Sequence, residues 1–272
     1  MRVGRQSAST RVTPRQPVRS APPPAQSRAS PPGACRELEP RPHTGAVPHI
    51  ARPDPAPVDR ALGRATPVAV VEAYAELARR VLAGPARLGR TRMVAIDGPS
   101  GAGKSRFAAH LADALTALHA DARPPVVHTD DLLDGWDDQL TFWTRLEARV
   151  LAPLRAGRAG AYHRYSWVRR SFLPDAVPVP VGPVLIVEGV STARAAARPE
   201  LTLAVFVTAP APLRLARAVA RDGPEILPEL RRWHAGESAH FAADGTAQHA
   251  DLVVDGAPGL PHDRTRYYVR LG

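Results

Sequence analysis

Arg92-Met93-Val94-Ala95-Ile96-Asp97 followed by Gly98-Pro99-Ser100-Gly101-Ala102-Gly103-Lys104-Ser105 is the stretch whose reading decides the fold. The first six residues have the length and branching of a buried strand. The next eight read G-x-x-x-x-G-K-S, a glycine-rich loop whose backbone N–H groups can turn inward around phosphate. Lys104 is the only lysine among 36 Lys and Arg residues. A slender ammonium can reach between phosphate oxygens where a planar guanidinium is too wide. Beyond the loop, Phe107, Leu111, Ala114, Leu115 and Leu118 fall on one stripe at helical spacing. Strand, loop and helix in that order place a helix N-terminus, with its dipole, at the anion site. The expected phosphate-binding set is Gly98 to Ser105 with Arg106 directly after it. Lys104 would span the β- and γ-phosphates and Ser105 would offer its hydroxyl to Mg²⁺.

Composition divides the chain. Residues 1–60 hold 13 of the 30 prolines and ten arginines against four acids, a net of +6 out of a whole-chain +10. Few large apolar residues and no periodicity appear there, so this segment cannot bury enough surface to offset its ordering entropy. It reads as a disordered extension, with polyproline-like stretches such as Pro22-Pro23-Pro24. Three roles compete for it: a basic arm for nucleic acid or a membrane surface, an organelle transit peptide, and a dispensable extension. The prolines oppose the amphipathic helix that a transit peptide needs. The dispensable extension is the preferred reading. Cys35, the single cysteine, lies in this segment, which excludes an intrachain disulfide and a thiolate metal site. No apolar run is long enough to span a bilayer and no signal-peptide core follows the start. A cytoplasmic protein is therefore expected.

After the extension, Thr66-Pro67 can cap a helix with Val70, Val71, Tyr74, Leu77, Ala78 and Val81 on its apolar face, ended at Gly84-Pro85. Further strands are expected at Pro125–His128, Val184–Val187, Leu201–Val207 and Leu252–Val254, with helical stretches around 137–155, 211–221 and 225–243 between them. Strands separated by helices argue for a parallel sheet covered on both faces. Ligands of such sheets gather at the C-terminal strand ends, and three of the strands end in polar residues. The expected divisions are 1–65 (extension), 66–260 (the α/β domain) and 261–272 (a C-terminal tail).

Asp130 and Asp131 directly follow an apolar strand. A carboxylate there can take the proton of an attacking hydroxyl while touching the shell of Mg²⁺. An Asp pair capping the next helix is the alternative. Glu188 ends Leu185-Ile186-Val187 and suits an acid that orders metal-bound water, or a structural turn acid. Arg214, Arg217 and Arg221, spaced by three and four, share one helix face. They either close over phosphates or form a solvated face.

These segments together resemble the uridine kinase-like family of P-loop kinases. The resemblance runs from about 92 to 255 through Gly98–Ser105, His128-Thr129-Asp130-Asp131-Leu132, Val187-Glu188-Gly189, Arg214–Asp222 and Ala250-Asp251-Leu252-Val253-Val254. It implies a three-layer α/β/α fold with a five-stranded parallel sheet in order 2-3-1-4-5 and an arginine-bearing lid. It also implies ATP·Mg²⁺ as phosphoryl donor and Asp130 as catalytic base. Lys104, Asp130, Arg217 and Arg221 would then be catalytic, with Ser105, Asp130 and Glu188 around the metal.

The acceptor side departs from the family pattern. Tyr165 is kept, Arg170 stands where a histidine is expected, Ala218 replaces a lid arginine and Arg232 replaces a glutamine. The extra guanidiniums suit an acceptor that already bears phosphate or carboxylate. Trp167 is read as a base-stacking residue or a packing one. Trp136, Trp143 and Trp233 are read as packing residues. Tyr165, Trp167, Arg170, Arg221 and Asp130 form the expected acceptor set. The leading expectation is a kinase that moves the γ-phosphate of ATP to a hydroxyl of a nucleoside-like small molecule. Another hydroxyl-bearing or phosphorylated acceptor, and a non-catalytic ATP-binding regulator, are the alternatives. Neither a membrane nor nucleic acid is the expected partner.

Overall fold

Residues 68–118 and 123–272 are described by the computed structural model. The expected extension 1–65, Cys35 and the Thr66-Pro67 cap lie outside them. In chain order the described residues form β1 (Ala69–Ala73), α1 (Tyr74–Ala83), β2 (Arg92–Asp97), α2 (Lys104–Leu118), β3 (Val126–His128) and α3 (Trp143–Leu146). A π-helical turn, Glu147–Leu151, leads into α4 (Ala152–Arg155), the hairpin β4 (Gly160–Ser166) and β5 (Ser171–Val179), and β6 (Val184–Glu188). Then come β7 (Leu201–Thr208), α5 (Ala211–Asp222), α6 (Leu227–Asp244), β8 (Leu252–Asp255) and β9 (Tyr267–Leu271).

The main sheet has seven strands in the order β1-β9-β8-β7-β2-β6-β3. Strand β2 pairs parallel with β6 and β7, β3 pairs parallel with β6, and β8 pairs parallel with β7. Numbered by their sequence order, these five parallel strands run 2-3-1-4-5, as expected of a P-loop kinase fold. Each is almost wholly apolar because both of its faces are covered. Along β2 the side chains alternate: Val94 and Ile96 pack with Leu77, Phe107 and Leu111 of α1 and α2. Met93 and Ala95 pack the other way, with Leu146, Val150, Leu154 and Trp233. Two cores on opposite faces make the three layers. Each fully buried Leu or Phe in them contributes about 1.5–3 kcal/mol.

Two expectations are corrected at the sheet edge. Val70 and Val71, expected on a helix, lie in β1, and α1 opens only at Tyr74. The segment 261–272, expected as a tail, supplies β9, which pairs antiparallel with both β8 and β1. Glu72 lies directly opposite Tyr268. It accepts hydrogen bonds from Tyr268 Oη at 2.5 Å and Arg270 Nε at 2.6 Å. The physical reason is non-local. β-Branched Val70 and Val71 take the extended form because a strand almost 200 residues later offers them a ladder.

The stretch 137–155 is likewise less regular than expected, since the π turn interrupts it. The β4–β5 hairpin was not anticipated as strands. It stands apart from the main sheet and carries Tyr165.

Candidate active site

Strand β2 delivers the loop Gly98–Gly103 to the N-terminus of α2, which opens at Lys104. The loop needs its glycines for space as well as conformation. At Gly101 φ is +77°, and a Cβ there would lie 2.5 Å from Arg214 O. Asp97, fully buried, anchors the loop's entry. Its Oδ1 accepts N–H bonds from Gly98 at 2.7 Å and Ser191 at 2.8 Å, and its Oδ2 accepts one from Ala193 at 2.8 Å. Burial lifts its pKa to about 6 against the pull of those N–H groups and of Lys104.

Lys104 is 9% exposed and its Nζ donates to Pro99 O at 3.2 Å, so the ammonium folds back over the loop. Ser105 Oγ donates to Glu188 Oε1 at 2.9 Å, and His128 Nδ1 lies 2.5 Å from the same oxygen. Three adjacent strand ends thus converge: β2 through α2, β6 through Glu188 and β3 through His128. Burial opposes ionisation of Glu188, but His128, Lys104 and Ser105 more than offset it, and its pKa falls below the usual range. Asp130 and Asp131 sit in a 3₁₀ turn, Thr129–Asp131. The next helical segments are preceded by Gly135 and Phe142 and have no side-chain cap hydrogen bond, so the helix-capping alternative has no support in the geometry. Asp131 Oδ2 accepts from Tyr162 Oη at 3.3 Å. Asp130 opens to the cleft, yet the surrounding protein displaces much of its hydration and raises its pKa. Lys104 and Arg221 oppose that shift, while Glu188 and Asp131 reinforce it.

Lys104, Ser105, Asp130, Glu188, Arg217 and Arg221 line one cleft of about 370 Å³, together with Ser100, Gly101, Gly103 and Arg106. Gly98, Pro99 and Ala102 shape the loop without lining it. The three arginines of α5 share a face but not a task. Arg214 turns away onto Glu237 at 3.0 Å and Ala209 O at 3.1 Å. Arg217 binds Gly101 O at 3.0 Å and Gly256 O at 3.2 Å, and Arg221 pairs with Asp222 at 2.6 Å. The solvated-face alternative fails for Arg214, whose side chain is 13% exposed.

The expected acceptor residues Tyr165, Trp167 and Arg170 do not line this cleft. Tyr165 is buried against Trp167 and Phe172 at ring distances of 5.4 and 5.3 Å. Trp167 rests on Trp136 at 5.1 Å, and Arg170 is exposed at the hairpin tip with φ of +53°. A second cavity of about 200 Å³ is lined by Trp136, Asp137, Gln139, Glu229, Arg232 and Trp233. One of its walls, Trp233, donates its Nε1–H to Ser100 Oγ in the wall of the first cleft at 2.8 Å.

Sequence reasoning missed three groups. Glu237 and Trp233 hold the phosphate loop, and the only local hint is their shared helix face at i and i+4. Asp137 carries no motif of its own. His262, Arg264 and Tyr267 bring the supposed tail into the large cleft, and nothing short of the β8–β9 pairing signals it.

The oxygen donors suit a hard cation. Ser105, Asp130 and Glu188 supply a hydroxyl and two carboxylates, and Mg²⁺ is typically held by one or two carboxylates together with substrate phosphates. Among the described residues no three His, Cys, Asp or Glu side chains form a ready metal cage, and Mg²⁺ held in that way needs none. Among the described residues no helix is long and apolar enough to cross a membrane.

No family model and no curated protein matches the chain. Solved structures similar to it include a possible uridine kinase from Bacillus stearothermophilus. That pair is 18% identical, covers 66% of this chain and 96% of the other, and has a TM-score of 0.49. A candidate fructose transport system kinase from Silicibacter sp. TM1040 is 22% identical over 65% of this chain and 89% of its own, with a TM-score of 0.43. TT1252 from Thermus thermophilus is 18% identical over 62% and 91%, with a TM-score of 0.36.

Proposed function

We propose that the chain is an ATP-dependent phosphotransferase that moves a γ-phosphoryl group to the hydroxyl of a neutral, nucleoside-like small molecule in the cytoplasm. One observation supports this reading above the others. Lys104 at a helix N-terminus, the Ser105–Glu188 pair, Asp130 and the guanidiniums of Arg217 and Arg221 share one cleft. A binding module needs the first of these, whereas a phosphoryl transferase needs all of them.

In this reading the loop amides and Lys104 hold the donor's phosphates, and the donor's nucleoside lies toward Tyr267, Arg264 and His262. Ser105, Asp130 and Glu188 would hold Mg²⁺, which when bound screens the charge on the phosphates. Asp130 accepts the proton of the acceptor hydroxyl, which lets its oxygen approach phosphorus in line. Arg217 and Arg221 neutralise charge as the bond to the leaving oxygen breaks. Positioning does most of the work, because little covalent chemistry falls to the protein.

The second cavity is the acceptor's place. Two indoles offer faces for a flat ring, and Asp137 and Gln139 offer polar groups for hydroxyls. Its charges favour a neutral acceptor over a phosphorylated one: two carboxylates face one guanidinium, and Arg232 lies 3.8 Å from Glu229. The test is ADP release from ATP and Mg²⁺ across a panel of nucleosides, sugars and their phosphates. Turnover that depends on one neutral acceptor supports the reading. Tight ATP binding with no turnover on any acceptor leaves the regulator, and a preference for phosphorylated acceptors overturns the neutral one.

A further inference from the structure

Ser100 sits in the middle of the phosphate loop, and every polar group it owns is held by α5 or α6. Its N–H donates to Glu237 Oε2 at 2.9 Å, its Oγ accepts from Trp233 Nε1 at 2.8 Å, and its carbonyl accepts from Arg214 Nη1 at 3.3 Å. Glu237 is 1% exposed and shares its other oxygen with Arg214 at 3.0 Å. A carboxylate buried in a helix is costly unless paired and hydrogen-bonded. Here the charge is compensated by one guanidinium, and the remaining oxygen holds one N–H of the loop. Glu237 is the fixed arm of this brace.

Trp233 is its other arm, and it reaches in two directions. The indole N–H grips Ser100, while the ring meets Trp136 edge to face at 5.7 Å and 82°. Trp136 in turn meets Trp167 at 5.1 Å, and Trp167 meets Tyr165 at 5.4 Å. An unbroken aromatic row therefore runs from the phosphate loop to the β4–β5 hairpin. The second cavity opens between two members of that row, Trp136 and Trp233. Anything that enters it presses on the same indole that holds Ser100. Packed side chains of this kind transmit displacement because the interior has little free volume to absorb it.

We infer that Trp233 is a positioning residue that couples occupancy of the second cavity to the setting of the phosphate loop, with Trp136 as the intermediate contact and Glu237 as the fixed support. The inference rests on the phosphotransferase reading of the cleft. It deepens that reading by making donor affinity depend on the acceptor side.

The experiment measures Mg²⁺·ATP binding to the full chain by calorimetry, and by tryptophan emission, without any acceptor. Trp233→Phe keeps a ring and removes the N–H, and Ser100→Ala removes the partner of that N–H. Each is expected to weaken ATP binding about 5–10-fold, in keeping with one lost hydrogen bond. The double variant is expected to be no weaker than either alone, because both remove one interaction. Trp136→Leu touches neither ATP nor the loop. It is expected to weaken ATP binding about 3-fold in the parent and not at all in the Ser100→Ala background, a coupling expected of contacting residues. Trp136→Phe serves if the leucine variant does not fold. The ATP-induced change in emission should vanish in Trp233→Phe while thermal midpoints move little.

Additive losses in the Trp233–Ser100 pair, or a Trp136 effect that persists without Ser100, overturn the relay. So does a parent that binds ATP while all three variants match it. A parent that binds ATP no better than Lys104→Ala overturns the reading of the cleft, and the relay with it.

Discussion

The hydroxyl of Ser105 donates to Glu188 Oε1 at 2.9 Å, tying the first turn of α2 to the last residue of β6. The two residues are 83 positions apart, and they meet because β2 and β6 are parallel neighbours that end at the same level. The bond places a hydroxyl and a carboxylate side by side at the start of α2, oxygen donors of the kind that suit Mg²⁺ beside phosphates. Glu188→Gln keeps the shape and removes the charge. The Mg²⁺ concentration for half-maximal activity is expected to rise about 10–100-fold, as for other changes around metal ligands. A Mg²⁺ titration of turnover checks it, and an unchanged midpoint removes Glu188 from the metal's surroundings.

Lys104 is expected to tolerate no replacement, arginine included. Lys104→Ala loses a charge-assisted contact of about 1.5–3 kcal/mol, or roughly 10–100-fold in ATP affinity. Lys104→Arg is expected to recover little of that, since a planar guanidinium cannot follow the ammonium back over the loop. Calorimetric titration with Mg²⁺·ATP compares the three proteins.

Asp130→Asn separates binding from chemistry. Turnover is expected to fall about 10²–10⁴-fold, the usual contribution of a general base. Affinity for ATP without Mg²⁺ should stay within about threefold, because in this reading the loop amides and Lys104, not Asp130, hold the phosphates. Single-turnover rates beside equilibrium binding make the comparison. Undiminished turnover would end the assignment of Asp130 as base.

Gly101→Ala strains the loop at a φ of +77° and drives a methyl group against Arg214 O. The expected cost is about 1–3 kcal/mol, which lowers the thermal midpoint by several degrees for a domain of about 200 residues. ATP binding should weaken in parallel, since the same residue sets the backbone around the phosphates. A melting curve and an ATP titration on one preparation test both.

Glu72 fixes β1 to β9 through Tyr268 and Arg270. Partial burial opposes its ionisation, but those two partners prevail and hold its pKa below that of an ordinary glutamate. The sign follows from a lower native than unfolded pKa. This contribution is complete above about pH 4.5 and is lost as pH falls through the native value. Glu72→Gln is expected to cost about 1 kcal/mol near pH 7 and to lose less stability than the parent on acidification. Urea melts between pH 3 and 7, a range set around the carboxylate pKa values, compare the two slopes.

The cleft around the glycine-rich loop was legible because its cues are local. The loop spells its own geometry in glycines, a helical stripe follows it, and the acids stand at or just past short β-branched runs with the length of a buried strand. The surroundings proposed for the acceptor were not. Tyr165, Trp167 and Arg170 sit on a hairpin whose tip follows no periodic rule, and the structure leaves Arg170 exposed there. Trp233, read as a packing residue, does pack, but its N–H also holds the phosphate loop 133 positions earlier in the chain. Composition gave no hint of that second task.

From sequence alone came the five parallel strands, their order through the family resemblance, and the glycine-rich loop that runs into α2. Those features depend on short runs whose side-chain pattern permits one backbone shape. Tertiary structure alone decided that Val70 and Val71 form a strand, that the last residues belong to the sheet, and that α6 grips the loop. Each of these outcomes needs a partner distant in the chain. A backbone hydrogen bond or a buried charge settles its preference only when that partner arrives.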